Sequence, residues 1–322
     1  MKMTGQITEV DMSLLRRNLI EHYRQEGFKS PEELLEFIES FWGLRIPRVH
    51  VCPEHTPPAQ YIIDSFFEEV QDSVCWANRG GGKTLLGALA TWLDTVFKPE
   101  CATKILGGSL EQSKKMYQHL TGEGDGWGLV TEDFQYLTEG EMLAARTATI
   151  NGSNINILTA SMKSVRGPHP QKLKLDEVDE CDDRIYEAAL LIPKTKRSIR
   201  ASTQIYSTMH KAYGLMNRVI EEAAVSGYKV YKWCVFDVME KCQEWRECET
   251  CPLLEDCQGK ARHADGFYSI EDAISEKRKV SRDTWLSEML CYKPSQEGLI
   301  YKEFDIDVHV VSDPFEDGPE AA

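Results

Sequence analysis

One segment of the chain has the residue types of a phosphate-binding loop: Ala77-Asn78-Arg79-Gly80-Gly81-Gly82-Lys83-Thr84. It follows a short apolar run and precedes an apolar helical pattern, which is the strand–loop–helix order that a nucleoside triphosphate site needs. Glycines allow backbone N–H groups to turn toward phosphate oxygens, Lys83 can reach the β- and γ-phosphates, and the Thr84 hydroxyl can bind Mg²⁺. Ala77 stands where such loops usually begin with glycine, and Arg79 lies inside the loop. The segment predicts an ATP–Mg²⁺ site rather than an ordinary glycine-rich turn.

Two adjacent carboxylates, Asp176 and Glu177, could supply the chemistry of hydrolysis. They end the alternating apolar stretch 172–175, about ninety residues after the loop. One carboxylate can hold the Mg²⁺ shell, and the other can polarise or deprotonate an attacking water. A solvated acidic turn is the alternative, and an assignment shifted by three residues, to Asp179 and Glu180, stays open. We prefer the first pair because the apolar alternation ends there.

Two further polar positions could take part in hydrolysis. Arg166 lies ten residues before Asp176 beside a flexible Gly-Pro step, so it could reach the phosphate of a neighbouring subunit. Ser207 and Thr208 end the strand that follows the acidic pair, where a hydroxyl can bind the attacking water or sense the γ-phosphate. Spacing alone favours the simpler interpretations, a surface arginine and a strand-end cap.

Four cysteines fall within sixteen residues, with the spacing C-x5-C-x2-C-x5-C: Cys242, Cys248, Cys251 and Cys257. Four thiolates so close together suit a tetrahedral metal ion or an iron–sulfur cluster. We predict a bound metal that folds this short segment, with zinc favoured over an iron–sulfur cluster and free thiols as the alternative. Cys52 and His55, in a proline-rich stretch, are interpreted as part of a turn rather than as metal ligands.

The composition is that of an ordinary globular protein. The 322 residues are 42% hydrophobic and 28% charged, no apolar run approaches a membrane span, and the N-terminus lacks a secretory apolar core. Cysteines in a cytosolic chain are more often thiols or metal ligands than disulfides. The net charge of −15 argues against a general polyanion-binding surface. The densest basic run could still bind phosphates locally, although a solvated face is the favoured interpretation: Lys194, Lys196, Arg197 and Arg200.

Strands are predicted before the glycine-rich loop and at 103–106, 155–158, 172–175 and 203–208, with helical segments between them. This alternation predicts an α/β fold with a mainly parallel sheet and helices on both faces. Ser30-Pro31-Glu32-Glu33 carries three signals of a helix start. A charged helix is predicted from about Ser269 to Leu290.

Taken in order, these motifs resemble the ATPase domain of the large terminase subunit of tailed bacteriophages. That family's phosphate loop carries an arginine before its glycines, as Arg79 does here. The segment from Arg166 to Glu177 is similar to the family's arginine and Walker B segment, and Ser207-Thr208 is similar to its coupling motif. Gln60 is placed like the glutamine that contacts adenine. The resemblance covers roughly residues 45–225.

The resemblance implies an additional-strand P-loop ATPase with a small cysteine-containing lid, which would translocate double-stranded DNA into a procapsid. Arg79 would contact phosphates in cis, and Arg166 would be a trans-acting arginine finger in a homo-oligomeric ring. Portal protein and the small terminase subunit would be partners, in the cytoplasm of the host cell and without a membrane. A P-loop helicase-like remodeller of nucleic acids, or a nucleotide-binding regulatory module, are the alternatives.

The resemblance also sets the expected domains: an N-terminal helical segment over 1–45, an ATPase core over 46–224, and a lid or C-terminal subdomain over 225–322. The family usually continues into a nuclease domain with metal-binding acidic residues. Asp305, Asp307 and Asp313 are too few to supply one. We therefore expect no DNA cleavage by this chain.

Overall fold

A seven-stranded sheet lies at the centre of the computed structural model, which describes residues 9–167 and 169–294. Its strands are β1 (Ser73–Ala77), β2 (Ala102–Gly107), β3 (Arg146–Ala148), β4 (Asn154–Ile157), β5 (Lys172–Asp176), β6 (Ser202–Ser207) and β7 (Lys229–Trp233). Their order is β3-β4-β2-β5-β6-β1-β7, and β3 with β4 is the antiparallel pair among otherwise parallel neighbours. The predicted, mainly parallel α/β sheet is confirmed.

Each face of the sheet has its own apolar core, because successive residues of a buried strand point to opposite sides. In β1, Cys75 belongs to one core, whereas Val74 and Trp76 belong to the other. The first core contains residues of α1 (Glu9–Glu26), α2 (Pro31–Trp42), α3 (Pro58–Phe66), α4 (Lys83–Phe97), α5 (Leu110–Thr121) and α6 (Glu132–Gln135). The second contains residues of α7 (Asp183–Leu190), α8 (Leu215–Ser226) and α10 (Ile270–Lys279). Two short helices, α9 (Leu254–Cys257) and α11 (Arg282–Thr284), flank α10 in the chain. None of the described helices combines the length and apolar character that crossing a membrane requires.

Helix α2 starts and stops where the sequence predicts. The Ser30 hydroxyl accepts the backbone N–H of Glu33 at 3.2 Å, and Pro31 is the first helical residue. Gly43 ends the helix at φ 64°, a left-handed conformation that glycine adopts without steric cost. This end of α2 places residues 43–47 at a cavity beside the glycine-rich loop.

Strand β7 extends the sheet past residue 225, where the sequence predicted the C-terminal subdomain to begin. It pairs in parallel with β1 over five positions, from Ser73–Lys229 to Ala77–Trp233. Its last residue therefore lies beside the start of the glycine-rich loop.

The segment predicted as one charged helix from Ser269 to Leu290 is broken into pieces, so that prediction is wrong in its extent. Helix α10 ends because Val280 is extended, with φ −110° and ψ 161°, and Ser281 caps α11. A π-helical turn over Trp285–Met289 follows. The break matters because it brings this turn against the glycine-rich loop.

Candidate active site

The glycine-rich loop joins β1 to α4 at the carboxyl edge of the sheet. Gly80 and Gly82 have φ values of 71° and 80°, which glycine tolerates best. A Cβ atom on Gly80 would lie 2.9 Å from the ring of Tyr268, and one on Gly81 would lie 2.3 Å from Asn78 Oδ1. The backbone conformation and the close approach together exclude larger residues at these positions, as the glycines of a phosphate-binding loop require.

The neighbouring strand and the C-terminal part hold this loop in place. The Asn78 N–H donates to the Trp233 carbonyl at 3.2 Å, and the Trp233 indole N–H donates to the Gly81 carbonyl at 2.9 Å. The Arg79 N–H donates to the Glu288 carbonyl at 2.8 Å, in the π-helical turn. The loop is therefore bonded to both β7 and the predicted lid.

Lys83 connects the loop to the ends of two other strands. Its side chain is 8% exposed, and its ammonium lies 3.0 Å from Thr208 Oγ1 and 3.1 Å from Glu177 Oε1. Ser207, also buried, donates its hydroxyl to the Thr208 carbonyl at 3.0 Å. Strand-end residues that are far apart in the chain thus surround one lysine.

Asp176 and Thr84 form a second pair beside Lys83. The Thr84 hydroxyl donates to Asp176 Oδ1 at 3.3 Å. Burial of Asp176, and after it the repulsion by Glu177, raise the pKa of Asp176 to about 7. A bound cation would stabilise the ionised form of Asp176, which burial makes costly in the protein alone. The Asp176 carboxylate and the Thr84 hydroxyl are also the oxygen ligands that Mg²⁺ prefers.

Glu177 occupies a strained backbone position. Its φ of 50° and ψ of 55° are in the left-handed region, which is uncommon for residues other than glycine. Its N–H donates to the Tyr206 carbonyl at 2.8 Å, which fixes the turn at the end of β5. The strain directs a partly exposed carboxylate toward the loop lysine.

The neighbouring acids Asp179 and Glu180 face elsewhere. The Asp179 carboxylate accepts the backbone N–H groups of Met216, His210 and Lys211 at 2.9–3.3 Å. Glu180 contacts the His210 ring and the Lys211 ammonium at 2.7 and 3.0 Å. The structure therefore brings Asp176 and Glu177, rather than the pair shifted by three, to the loop.

A cavity of about 500 Å³ opens beside the loop. Apart from the loop itself, it is lined by apolar and aromatic side chains and by three polar ones: Leu44, Ile46, Pro47, Pro58, Leu85, Leu86, Trp127, Phe267, Arg45, His119 and Asp265. This mixture suits a flat heterocycle next to a phosphate cradle.

The remaining predicted nucleotide residues lie on the surface. Arg79 and Arg166 both have exposed side chains, Arg166 in the connection from β4 to β5. Gln60 is on α3, where its amide donates to Asp64 Oδ1 at 2.6 Å, and the cavity is lined by Pro58 instead. Its predicted contact with adenine stays a prediction, as do the roles of the two arginines.

The cysteines of the 242–257 segment line one small cavity, of about 20 Å³, with Arg246 and Arg262. An Arg262 N–H lies 3.4 Å from Cys248 Sγ, and the Ala261 N–H lies 3.5 Å from Cys257 Sγ. All ten cysteines are free. Within the described residues, these four sulfurs do not form a group whose ligand atoms are all within 4.8 Å of one another.

Another set of side chains does meet that distance: Cys52, His55, Cys234 and Asp237. The interpretation of Cys52 and His55 as a plain turn therefore missed half of a cluster. The signal was present as two short spacings, Cys-x2-His and Cys-x2-Asp, but they are separated by 182 residues. Sequence reasoning also missed Trp233, which supports the loop from β7.

Two of the four basic side chains in the run 194–200 are paired within the chain. Lys194 and Lys196 are exposed, whereas Arg197 pairs with Glu100 and the Arg200 guanidinium donates to the Glu68 carbonyl at 3.1 Å. The acidic positions 305, 307 and 313 lie outside the described residues.

The sheet order defines the class of this fold. β6 lies between β1, which leads into the glycine-rich loop, and β5, whose end carries Asp176. A strand inserted between those two is the defining feature of additional-strand P-loop ATPases. The chain therefore has an additional-strand P-loop fold of the terminase ATPase type, as the structural relatives show.

Those relatives are phage terminases. The fold is similar to the large terminase of bacteriophage HK97, with 15% identity and a TM-score of 0.53 over 81% of this chain and 55% of that one. It is similar to a variant ATPase domain of the Thermus phage P74-26 large terminase, with 12% identity and a TM-score of 0.50 over 79% and 96%. It is also similar to the ADP complex of the large terminase of a thermophilic bacteriophage, with 12% identity and a TM-score of 0.50 over 78% and 57%.

No protein-family model matches the chain, and no curated protein matches its sequence. The chain spans a little over half of the length of the large terminases that it matches first. The predicted resemblance to the large-terminase ATPase domain is confirmed for the fold.

Proposed function

We propose that this chain is the ATPase motor domain of a viral terminase large subunit, which hydrolyses ATP to translocate double-stranded DNA into a procapsid. One observation carries the proposal: Lys83, Thr84, Asp176, Glu177 and Thr208 meet at one edge of the sheet, beside a loop that excludes side chains. The terminase-type fold favours DNA packaging over other uses of such a site.

ATP would place its phosphates on the Gly80–Thr84 loop, with the Asn78 side chain beside them and the base in the adjoining cavity. Mg²⁺, when bound, would neutralise charge on the β- and γ-phosphates, and Thr84 and Asp176 are the residues that would hold it. Gln60 would reach the adenine only by leaving its bond to Asp64.

The Lys83–Glu177 ion pair would be present in the nucleotide-free protein and would break when ATP binds. Phosphate oxygens would compete for the ammonium, because a cation with three donors can exchange one anionic partner for another. Glu177 would then be free to orient water for in-line attack on the γ-phosphate. Because Thr208 also contacts Lys83, movement of this lysine would be transmitted to the Ser207-Thr208 end of β6, as a coupling motif requires.

Developing charge would be stabilised by two arginines. Arg79, inside the loop, would act on the phosphates of its own subunit, and Arg166 on those of a neighbour in a ring. An exposed guanidinium in a long connection is suited to acting in trans, and its charge is independent of pH.

A metal held by Cys242, Cys248, Cys251 and Cys257 would stabilise the C-terminal subdomain. The shared cavity and the N–H donors to two of the sulfurs support thiolates there. Zinc is the ion that we expect.

The decisive test measures ATP turnover of the chain alone and with small terminase subunit, procapsids that carry portal protein, and linear double-stranded DNA. We expect severalfold stimulation by the complete set and DNA protected from nuclease inside the capsid. Turnover stimulated by single-stranded DNA alone, with strand separation, would favour a helicase-like remodeller instead. Slow turnover that no partner changes would favour a regulatory module.

The trans role of Arg166 is tested by mixing variants. Arg166→Ala and Glu177→Gln subunits should each be inactive alone but partly active together on portals, because the Glu177→Gln subunit still supplies its arginine. Arg184→Ala, at an arginine whose side chain is 86% exposed, is the matched control and should stay active alone. No rescue at any mixing ratio would refute the trans assignment.

A further inference from the structure

A second metal site is formed by two turns that lie far apart in the chain. Cys52, His55, Cys234 and Asp237 place one ligand atom each within 4.8 Å of one another. We propose that these four side chains bind one Zn²⁺ ion that ties the segment before α3 to the end of β7. This inference does not depend on the proposed ATPase function, because metal content can be measured without turnover.

The two turns have matching backbone geometry. In the first, the His55 N–H donates to the Cys52 carbonyl at 3.0 Å, and in the second, the Asp237 N–H donates to the Cys234 carbonyl at 3.0 Å. Each turn therefore presents a cysteine and, three residues later, a second ligand on one side. Two such facing turns supply four ligands, the number that structural zinc requires.

The distances between the ligand atoms suit a tetrahedral ion. Cys52 Sγ and Cys234 Sγ are 3.7 Å apart. Two thiolates bound to one tetrahedral zinc at about 2.3 Å must be about 3.8 Å from each other. The other two ligands, His55 Nδ1 and Asp237 Oδ2, are 2.6 Å apart and share a hydrogen bond. Zinc would displace the shared proton and separate these atoms by several tenths of an ångström.

The carboxylate is already oriented by the backbone. The Cys52 N–H donates to Asp237 Oδ1 at 3.0 Å, and the Cys234 N–H donates to Asp237 Oδ2 at 2.8 Å. Such hydrogen bonds fix a ligand in position before the ion binds. A buried Cys–His–Cys–Asp group arranged in this way differs from a chance cluster of exposed acids.

The site is buried but reachable. Cys52, Cys234 and Asp237 are 5%, 2% and 2% exposed, whereas His55 is half-buried. His55 and both cysteines border an open cavity of about 530 Å³, which gives the ion a path from solvent.

The position of the site gives it a structural role near the nucleotide. Cys234 directly follows Trp233, whose carbonyl accepts the Asn78 N–H and whose indole donates to Gly81. The Thr56 N–H donates to the Lys232 carbonyl at 2.7 Å, so the first turn is also joined to β7. An ion here would hold the strand end that supports the phosphate loop.

Metal analysis of the purified full chain tests the proposal. The Cys248→Ala/Cys251→Ala double variant cannot bind zinc at the four-cysteine segment. This variant should still contain one equivalent of zinc per chain, bound at the proposed site. Adding Cys52→Ala to this background should remove that equivalent. Adding Cys101→Ala instead, at an equally buried thiol outside the cluster, should leave it.

Cobalt provides a readout that does not need the Cys52 variant to fold. The double variant loaded with Co²⁺ should show a thiolate-to-cobalt charge-transfer band and tetrahedral d–d bands. Adding His55→Gln to the double variant replaces the ligand by an amide that can still donate to Asp237. The affinity for Co²⁺ should then fall by about 10- to 100-fold.

Zinc content that is the same in the Cys52→Ala and Cys101→Ala versions would overturn the proposal. So would octahedral cobalt without a thiolate band. A Cys52–Cys234 disulfide, found by mass spectrometry in protein purified under reducing conditions, would also overturn it, because oxidised sulfurs cannot bind zinc.

Discussion

The two edges of the parallel sheet both carry buried charges, but they arrange them in opposite ways. At the carboxyl edge, Asp176 and Glu177 share one lysine, and repulsion between the two acids adds to the burial that raises the pKa of Asp176. At the amino edge, Glu68 lies 3.2 Å from the Lys98 ammonium and 2.7 Å from the Lys172 ammonium, and Lys98 also pairs with Asp94 at 2.7 Å, so each acid has a cationic partner.

This difference indicates that the charges at the carboxyl edge serve function, whereas the charges at the amino edge stabilise the fold. The repulsion between Asp176 and Glu177 and the left-handed backbone at Glu177 both lower the stability of the fold. Such unfavourable features are typical of functional sites, where a bound cation or a reacting water interacts with them. The amino-edge charges are compensated in the protein alone. Substitutions at the carboxyl edge should therefore change activity, and those at the amino edge should change stability.

The largest expected effect is that of Glu177→Gln. Glutamine keeps the size of the side chain but cannot accept a proton from water, so turnover should fall by about 10²- to 10⁴-fold while ATP still binds. Steady-state ATPase assays and nucleotide-binding titrations measure the two properties. The midpoint of thermal unfolding should not decrease.

Glu180→Gln is the matched control for that variant, because it makes the same change three residues away at an exposed acid that contacts His210. It should retain turnover. Equal loss of activity in both variants would contradict the separate roles assigned to these acids.

An intermediate effect is expected from Lys172→Met at the opposite edge. The Lys172 side chain is 2% exposed, and removing its charge leaves Glu68 with one cationic partner fewer in a buried setting. The free energy of unfolding should fall by about 3 kcal/mol. Turnover per folded molecule should stay within about twofold of wild type.

Urea unfolding followed by circular dichroism gives the stability, and active-site titration corrects the turnover. Lys163→Met, at an exposed lysine, should leave both unchanged. If Lys172→Met lost activity without losing stability, the two edges would not be distinct in function.

The smallest effect concerns the pH dependence of stability. Burial by itself would raise the pKa of Glu68, but the Lys98 and Lys172 ammonium groups outweigh burial and lower it below its ordinary value of 4.5. Because the folded-state pKa is the lower one, the stabilisation is present above pH 4.5 and is lost as the pH falls through the folded-state pKa.

Wild type should therefore be more stable than Glu68→Gln at pH 7, and the difference should shrink as the pH falls through the folded-state pKa of Glu68. Urea unfolding at a series of pH values measures both curves. A difference that stays constant at every pH below 4.5 at which the protein still folds would show that the Glu68 charge contributes no stability.

Much of the nucleotide site could be predicted from the sequence, because its parts are short contiguous motifs with local rules. Glycines before Lys83 and Thr84 specify a loop conformation by themselves, and an apolar strand that ends in Asp176-Glu177 specifies a strand tip. The start of α2 at Ser30-Pro31 was likewise predictable from capping alone. The single long helix predicted after Ser269 was wrong because apolar periodicity could not reveal that Val280 is extended.

The nucleotide loop, the acidic strand end and the mainly parallel sheet are all predictable from residue patterns in the sequence. The folded structure is needed to see which acids meet Lys83, that β7 supports the loop, and that Cys52 and His55 face Cys234 and Asp237. These contacts are hidden in the sequence because contacts across a parallel sheet depend on strand order. That order is set by how long crossover connections pack on the two faces, and no local residue pattern encodes it.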